Sequence, residues 1–216
     1  MTATAETDSP PHYKAEEPNR AVPTKASSYI RIVREGGVSD SFVIDPSIKI
    51  KESLLPKLDN WEKNAGRRNL WVKTTGNHAE IDVDVEVKNV TMLSGSQKKV
   101  IIGLEAQKAD VLLRLHAPSQ LPRPRLYVYI TSGKGNVVVS VPRSTTGLFG
   151  ITSAGPVNLS DQLSKETITL NEDGRLKQLI VGPVSDWDEG DKDQITVLAH
   201  GTVDLRYDDE SDEQPE

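Results

Sequence analysis

The chain has 216 residues, of which 36% are apolar, and it carries a formal net charge of −6 at pH 7. Six of its 32 carboxylates lie in the last nine residues, so residues 1–207 balance 26 basic against 26 acidic side chains. This balance leaves no general basic surface for nucleic acid, and the lack of cysteine excludes disulfides, thiolate catalysis and cysteine-ligated zinc. No stretch is apolar and long enough for a signal peptide or a membrane span, so we expect an intracellular, cytoplasmic protein with no membrane span and no nucleic-acid partner.

Both ends of the sequence are poor in large apolar residues. Residues 1–27 hold four prolines among Ser, Thr, Ala and Glu, and carboxylates dominate the last residues. Segments that bury little apolar surface cannot compensate the entropy lost when the chain is ordered. We therefore predict a disordered N-terminal segment over 1–27, a single folded domain over 28–208 and a disordered acidic tail over 209–216.

The folded part begins with a strand–turn–strand pattern over residues 29–44, where a Gly-Gly turn separates two apolar stretches. Residues 52–62 differ, because leucines fall near helical spacing while Pro56 interrupts the stretch. This segment predicts a short helical turn or an ordered loop over one end of the sheet. Trp61 would pack there as a lid over an open apolar edge.

The rest of the domain repeats one phrase: an alternating apolar stretch, a tight polar turn and a second alternating stretch. Five clear copies lie at residues 70–85, 102–115, 126–141, 148–160 and 195–207, with a weaker copy at 167–181. In the first of them Ile81, Val83 and Val85 point to one face, while Asp82 and Asp84 point to the other. Because no copy can bury its apolar face alone, neighbouring copies must stack.

This pattern predicts an all-β fold of stacked strand–turn–strand repeats, and two architectures satisfy it. One is a β-solenoid or roll in which each copy forms a rung. The other is an antiparallel β-sandwich made from hairpins, which short polar turns would serve equally well. Both arms of the copies resemble each other, which favours the solenoid-like stack.

Several motifs carry a resemblance to a known family. They are ESLLPKL at 52–58, the repeated polar turns, VPRSTTG at 141–147 and GTVDLRY at 201–207. On these motifs the chain resembles an uncharacterised β-repeat domain family of mushroom-forming fungi. More distantly, its repeats are similar to those of bacterial adhesin repeat domains. The resemblance implies a stacked β fold, and it implies no established activity, site residue or cofactor.

Two of the four histidines occupy matching positions in the repeats. When the copies are aligned on their second arms, His78 and His200 fall at the same place in the turn. Stacked turns would bring two imidazoles together beside Asp82 or Asp204, which is the start of a weak metal site. The intervening copies carry other residues at this place and break the row. We therefore assign no metal-ligating residue.

Carboxylates also recur along one strand face, about 7 Å apart by the strand rise, at Glu80, Asp82, Asp84 and Glu86. Calcium needs several oxygens that converge in one loop, whereas a strand spreads them apart. We interpret the row as a solvated face that discourages edge aggregation. The GKG sequence at 133–135 lacks the second element of a phosphate-binding loop and its helix, so we interpret it as a turn.

The last candidate is a small basic–aromatic patch. Arg123, Arg125, Tyr127 and Tyr129 alternate where a loop enters a strand, and similar patches bind ligands or nucleic acids in other proteins. Neighbouring prolines favour a structural role instead. The sequence also lacks the Gly-x-Ser-x-Gly elbow of serine hydrolases. We therefore assign no catalytic or cofactor-binding residue, expect no cofactor and predict that the protein is not an enzyme.

Two functions remain open at this point. The favoured one is a non-enzymatic structural or protein-interaction module, adhesin-like in character, whose sheet faces or edges contact other proteins. The alternative is a carbohydrate-active β-solenoid enzyme or a carbohydrate-binding module. An enzyme of that kind would gather carboxylates from adjacent copies on one concave face. Whether Asp82, Asp204 and Glu105 share one face discriminates between the two functions.

Overall fold

A computed structural model of the chain describes residues 25–89, 99–119, 123–183 and 192–210, and within them the fold is mostly β. The strands of the described residues are β1 (Ile30–Arg34), β2 (Val38–Ile44), β3 (Leu70–Asn77), β4 (Ile81–Val87), β5 (Lys99–Lys108), β6 (Val111–His116), β7 (Arg125–Ser132), β8 (Val137–Val141), β9 (Gly147–Ser153), β10 (Val157–Leu159), β11 (Thr167–Asp173), β12 (Leu176–Val181), β13 (Asp193–Ala199) and β14 (Val203–Tyr207). The helical elements are a 3-10 turn (Glu52–Leu54), α1 (Glu62–Ala65) and α2 (Asp161–Lys165). The all-β prediction is confirmed.

The two arms of each clear repeat lie in different sheets. Sheet I has eight strands in the order β1-β3-β5-β7-β13-β9-β12-β11, and sheet II has six in the order β10-β14-β8-β6-β4-β2. Equivalent arms of neighbouring repeats pair in parallel, as β4 does with β6 and β6 with β8. Every clear repeat therefore contributes one strand to each sheet and stacks on its neighbours through both.

The alternation within the arms explains where the core lies. In sheet II the side chains of Val83, Leu113, Val139 and Leu205 form one continuous row across β4, β6, β8 and β14. All four are buried, and they join inward side chains of sheet I in a single apolar cluster. The predicted inward and outward faces of these arms are confirmed.

The weak copy at 167–181 departs from the repeat. Its arms β11 and β12 pair antiparallel with each other, and β12 pairs antiparallel with β9, so both arms lie in sheet I. The turn between Asp173 and Leu176 has two residues, and Gly174 adopts a φ of 55°. A two-residue hairpin turn requires this left-handed conformation at its first position. Interpreting this segment as another stacked copy was therefore wrong.

The last repeat is stacked out of chain order. β13 lies between β7 and β9 and pairs in parallel with both, and β14 lies between β8 and β10. The repeat formed by β9 and β10 thus contacts the C-terminal repeat rather than the repeat that precedes it in the sequence. This insertion brings three distant parts of the chain together at the start of β13.

Asp193 holds that junction. Its carboxylate is paired with Arg123 through Nη1–Oδ1 at 3.0 Å and Nη2–Oδ2 at 2.5 Å, and both side chains are 3% exposed. It also accepts backbone N–H groups of Leu126 (2.8 Å) and Thr146 (3.1 Å). In the sequence Asp193 ends the acidic stretch DWDEGDKD at 186–193, which indicates an acidic loop, but the residue instead begins the largely buried strand β13. Residues 186–191 of that stretch lie outside the described residues.

The segment over 52–62 contains the expected short helical turns, but it does not cover an end of the sheet. Trp61 packs edge-on against Tyr129 of the central strand β7, with ring centroids 4.7 Å apart. The segment therefore lies on the outer face of sheet I. Trp61 was predicted to form a lid over an open apolar edge, but it covers the middle of the outer face of sheet I.

Both predicted boundaries can be compared with ordered contacts. The backbone N–H of Ser27 donates to Val43 O at 3.0 Å. At the other end, Arg143 Nε donates to Asp209 Oδ2 at 2.7 Å and holds the pKa of Asp209 below its usual value. Two positions assigned to the disordered ends, 27 and 209, are thus held against the domain, whereas residues 1–24 and 211–216 lie outside the described residues. Among the helices that the structure describes, none is long and apolar enough to cross a membrane.

Candidate functional site

The two histidines that occupy matching turn positions are not brought together. His78 follows β3 and His200 follows β13, and strands β5 and β7 lie between these two strands. Three strand spacings amount to about 14 Å, which is too far for both imidazoles to bind one metal ion. Across the described residues, no group of three or more His, Asp and Glu side chains is arranged to hold a metal.

The carboxylate row on β4 is partly neutralised by its neighbour strand. Arg114 on β6 reaches both Asp82 and Asp84, with Nη1–Oδ1 distances of 3.0 and 3.3 Å. Glu86 pairs with Lys88 at the end of the same strand. Asp82 and Asp84 therefore belong to a cross-strand ion-pair network on the outer face of sheet II.

A groove runs along the same outer face, where the strands of sheet II begin. It has a volume of ≈ 450 Å³ and is lined by Glu80, Ile81, Asp82, Asp110, Val111, Leu112, Asn136, Val138, Asn158, Thr202 and Asp204. Amide and carboxylate groups in this groove form hydrogen bonds between neighbouring turns. Asp110 Oδ1 accepts the backbone N–H of Asn136 at 2.7 Å, and Asn136 Oδ1 accepts that of Thr202 at 2.9 Å. Side-chain to backbone hydrogen bonds thus link successive turns along the groove.

The three discriminating carboxylates do not share one face. Asp82 and Asp204 both lie on the outer face of sheet II, but β6 and β8 separate their strands, so they are about 14 Å apart. Glu105 lies on β5 in sheet I, where it accepts Trp71 Nε1 at 3.0 Å and Lys73 Nζ at 2.8 Å. Carboxyl pairs of glycoside hydrolases are about 5–9.5 Å apart. The arrangement gives no such pair among these three residues.

The GKG turn is shaped by close stacking. An added Cβ on Gly135 would lie 2.3 Å from the carbonyl carbon of Ala109, and one on Gly133 would lie 2.2 Å from Gln107 O. Both glycines therefore allow this turn to contact the turn of the preceding repeat. A larger residue at either position would clash with the preceding turn, which agrees with the interpretation of the GKG sequence as a turn.

The predicted basic–aromatic patch is split by the fold. Arg123 turns inward to Asp193, while Tyr127 and Tyr129 point out from β7 on sheet I. Lys99 lies over the ring of Tyr127 at 5.2 Å. Burial raises the pKa of Tyr129, whose ring packs against Trp61.

A different cation–aromatic cluster occupies the outer face of sheet I. The guanidinium of Arg68 lies 4.3 Å from the ring of Trp61 and 4.6 Å from that of Trp71, and it is buried. Gly103 on β5 lies beneath it, since an added Cβ would approach Arg68 Cδ to 3.0 Å. Arg31 covers Trp71 at 4.5 Å. The indole faces are therefore occupied by the protein's own cations.

A capping box between Asp59 and Glu62 fixes the turn that leads into α1. Asp59 Oδ1 accepts the backbone N–H of Glu62 at 2.7 Å, and Glu62 Oε2 accepts that of Asp59 at 3.2 Å. Asp59 also accepts Arg68 Nη1 at 2.8 Å. The Glu62 N–H and then Arg68 hold the pKa of Asp59 below its usual value. Sequence analysis missed the cluster, although the D-x-x-E spacing and a glycine inside a strand pointed to it.

These features sit in a domain whose whole length matches one family. The profile described as "Domain of unknown function (DUF7330)" matches residues 28–210. The chain belongs to the DUF7330 family. No curated protein and no solved structure matches the chain. The match confirms that this is an uncharacterised domain family, and it covers every described strand from β1 to β14.

The C-terminal end of the DUF7330 domain is anchored by Tyr207. Its side chain is fully buried, and its hydroxyl donates to Glu166 Oε2 at 2.7 Å. Burial, followed by the hydrogen bond to Glu166, raises the pKa of Tyr207 well above its usual value. Arg143 covers the ring at 4.6 Å, and the backbone N–H of Tyr207 donates to Glu210 Oε2 at 3.0 Å. This polar cluster joins α2, β14 and the end of the described chain.

We expect Zn²⁺ to leave the melting temperature of the DUF7330 domain unchanged, both in the unsubstituted chain and in the His78→Ala/His200→Ala variant. The two imidazoles are too far apart to share an ion, and a ligand of the native state would raise the melting temperature. The measurement is a thermal melt of both proteins with and without Zn²⁺. A zinc-dependent rise in the unsubstituted chain that the double substitution removes would contradict the placement.

Proposed function

We propose that the protein is a non-enzymatic β-repeat scaffold that serves as a structural or protein-interaction module. The observation that supports this proposal is that the three candidate carboxylates already bond to neighbouring side chains. Asp82 is held by Arg114, Asp204 Oδ1 accepts Asn158 Nδ2 at 2.7 Å, and Glu105 is held by Trp71 and Lys73. Groups that already stabilise neighbouring strands are poorly placed to act as general acids or bases.

We further infer that the architecture is solenoid-like rather than an antiparallel sandwich. Parallel pairing of equivalent arms and the division of each repeat between two sheets support this reading. The motif resemblance supports a fungal, adhesin-like character. The lack of cysteine supports an intracellular location, because disulfide bonds rarely form inside cells.

A second candidate function rests on the groove of sheet II. Its floor has half-buried Leu112 and Val138, and its rim has Asp82, Asp204 and Asn158. Carboxylates and amides are the groups that hydrogen-bond sugar hydroxyls, so this groove supports a carbohydrate-binding module. None of the described lining residues is aromatic, which removes the stacking surface that helps to bind a sugar ring.

A polysaccharide assay separates the proposals. The full chain and the Asp82→Asn/Asp204→Asn variant are incubated with a panel of glucans, chitin and pectin, and reducing ends are measured. The scaffold proposal predicts no release above the buffer blank and no retardation of either protein in polysaccharide gels. Release by the unsubstituted chain that the variant lacks would contradict it. Retardation without release, lost in the variant, would favour the carbohydrate-binding module.

A further inference from the structure

One edge of sheet I is open and long. β11 is the last strand of the sheet, it pairs only with β12 among the described strands, and six of its seven residues are exposed. An edge strand presents unpaired N–H and C=O groups that can pair with another strand. Its sequence, TITLNED, contains no lysine or proline, and its only charged residues, Glu172 and Asp173, are confined to its end.

The other described edge strands differ from β11. β1 carries Arg31 and Arg34, β10 has only three residues and is followed by α2, and Ser27 bridges to the end of β2. Short, charged or covered strands resist pairing with a second chain. β2 also keeps most of its edge unpaired among the described strands, but its exposed residues Ser39 and Asp40 are polar, so β11 is the described edge strand that combines an open edge with two exposed large apolar side chains, Ile168 and Leu170.

Exposed apolar side chains accompany this edge. Ile168 and Leu170 on β11 are about half exposed, Leu176 is exposed on the neighbouring strand β12, and Leu198 is exposed on β13, two strands further into the sheet. Leu176 and Leu198 both register with Thr152 of β9, so they share one face of sheet I.

The charge pattern of β11 selects the partner strand. Its first half, Thr167 to Leu170, is neutral, whereas Glu172 and Asp173 make its second half acidic. A second β11 in parallel would place acid beside acid, which is destabilising. An antiparallel second copy places each acidic half beside a neutral half and brings the two Leu170 side chains together at the centre. Leu170 is also the extra residue of the β-bulge between Thr169 and Asn171, so it protrudes from the strand ladder.

We propose that two copies of this chain associate through antiparallel pairing of their β11 strands, with Leu170 on the two-fold axis. Such pairing joins two eight-stranded sheets into one. Because a two-fold contact uses the same edge on both copies, it covers both open edges and closes the assembly. This inference rests on the proposed scaffold function and names a second copy as its partner.

The test is sedimentation equilibrium of the full chain from about 1 μM to about 500 μM, the range in which interfaces of this small size associate. We expect the mass to rise toward twice the monomer mass. Leu170→Lys should remain monomeric at all concentrations, because it places two ammonium groups together at the axis. Val33→Lys is the matched control on β1, since Val33 and Leu170 are 52% and 54% exposed.

The outcomes are distinct. An unsubstituted chain that stays monomeric, a Leu170→Lys variant that associates like the unsubstituted chain, or a Val33→Lys variant that is monomeric would each overturn the inference. If Leu170→Lys fails to give a cooperative thermal melt, Ile168→Glu replaces it with the same expected loss of association, because residue 168 lies opposite the acidic Glu172 of the second copy in the antiparallel register. A monomeric chain would leave the scaffold proposal intact, since that proposal depends on the polysaccharide assay.

Discussion

Asp193→Ala is expected to lower the free energy of unfolding by about 3–5 kcal/mol, because it leaves the buried Arg123 guanidinium without a counter-charge. The same change also removes the acceptor of two backbone N–H groups, those of Leu126 and Thr146. The measurement is urea unfolding followed by circular dichroism. Glu105→Ala is the matched control, since its pair with Lys73 is partly exposed and contributes under about 1 kcal/mol.

A double substitution refines this result. Arg123→Met/Asp193→Leu removes both charges, so it should recover part of the stability that Asp193→Ala loses. Full recovery is not expected, because the two backbone N–H groups still lack an acceptor. If Asp193→Ala and Glu105→Ala were equally mild, the junction would not depend on the buried ion pair.

Val83→Asp is expected to destabilise the domain by several kcal/mol, roughly 3–5, since it places an unpaired carboxylate in the core row of sheet II. The matched change Asp82→Val, one residue earlier on β4, should cost less than about 1 kcal/mol. Its side chain is 29% exposed, and it loses a partly screened contact with Arg114. Equal shifts of the urea midpoint in the two variants would show that the faces of β4 are assigned wrongly.

Local alternation predicted the arms of the repeats because strand faces depend on every second residue. Val83 and Leu205 could be placed inside from their own neighbours in the sequence. The order of stacking could not be predicted in this way. Pairing of β13 with both β7 and β9 depends on contacts between residues far apart in the chain, and Asp193 looks like part of an acidic loop until Arg123 is placed beside it.

The functional surfaces show the same limit. The distance between His78 and His200 follows from how many strands separate them, which the sequence leaves open. The Arg68 cluster depends on the loop before β3 folding over Gly103. Its capping box, by contrast, lies within four residues and could have been recognised from the sequence.

Cysteine cross-linking tests the central claim, the insertion of the last repeat between two earlier ones, and the chain has no cysteine of its own to interfere. Leu198 of β13 registers with Thr131 of β7 and with Thr152 of β9. Paired cysteines at 131 and 198, and at 152 and 198, would lie about one strand spacing apart, about 4.8 Å, within disulfide range. The account predicts that both pairs form disulfides on oxidation and that a pair at 131 and 152, about 9.6 Å apart, does not. Disulfide formation by the 131 and 152 pair, with none by the pairs that include 198, would contradict it and indicate that the repeats stack in chain order.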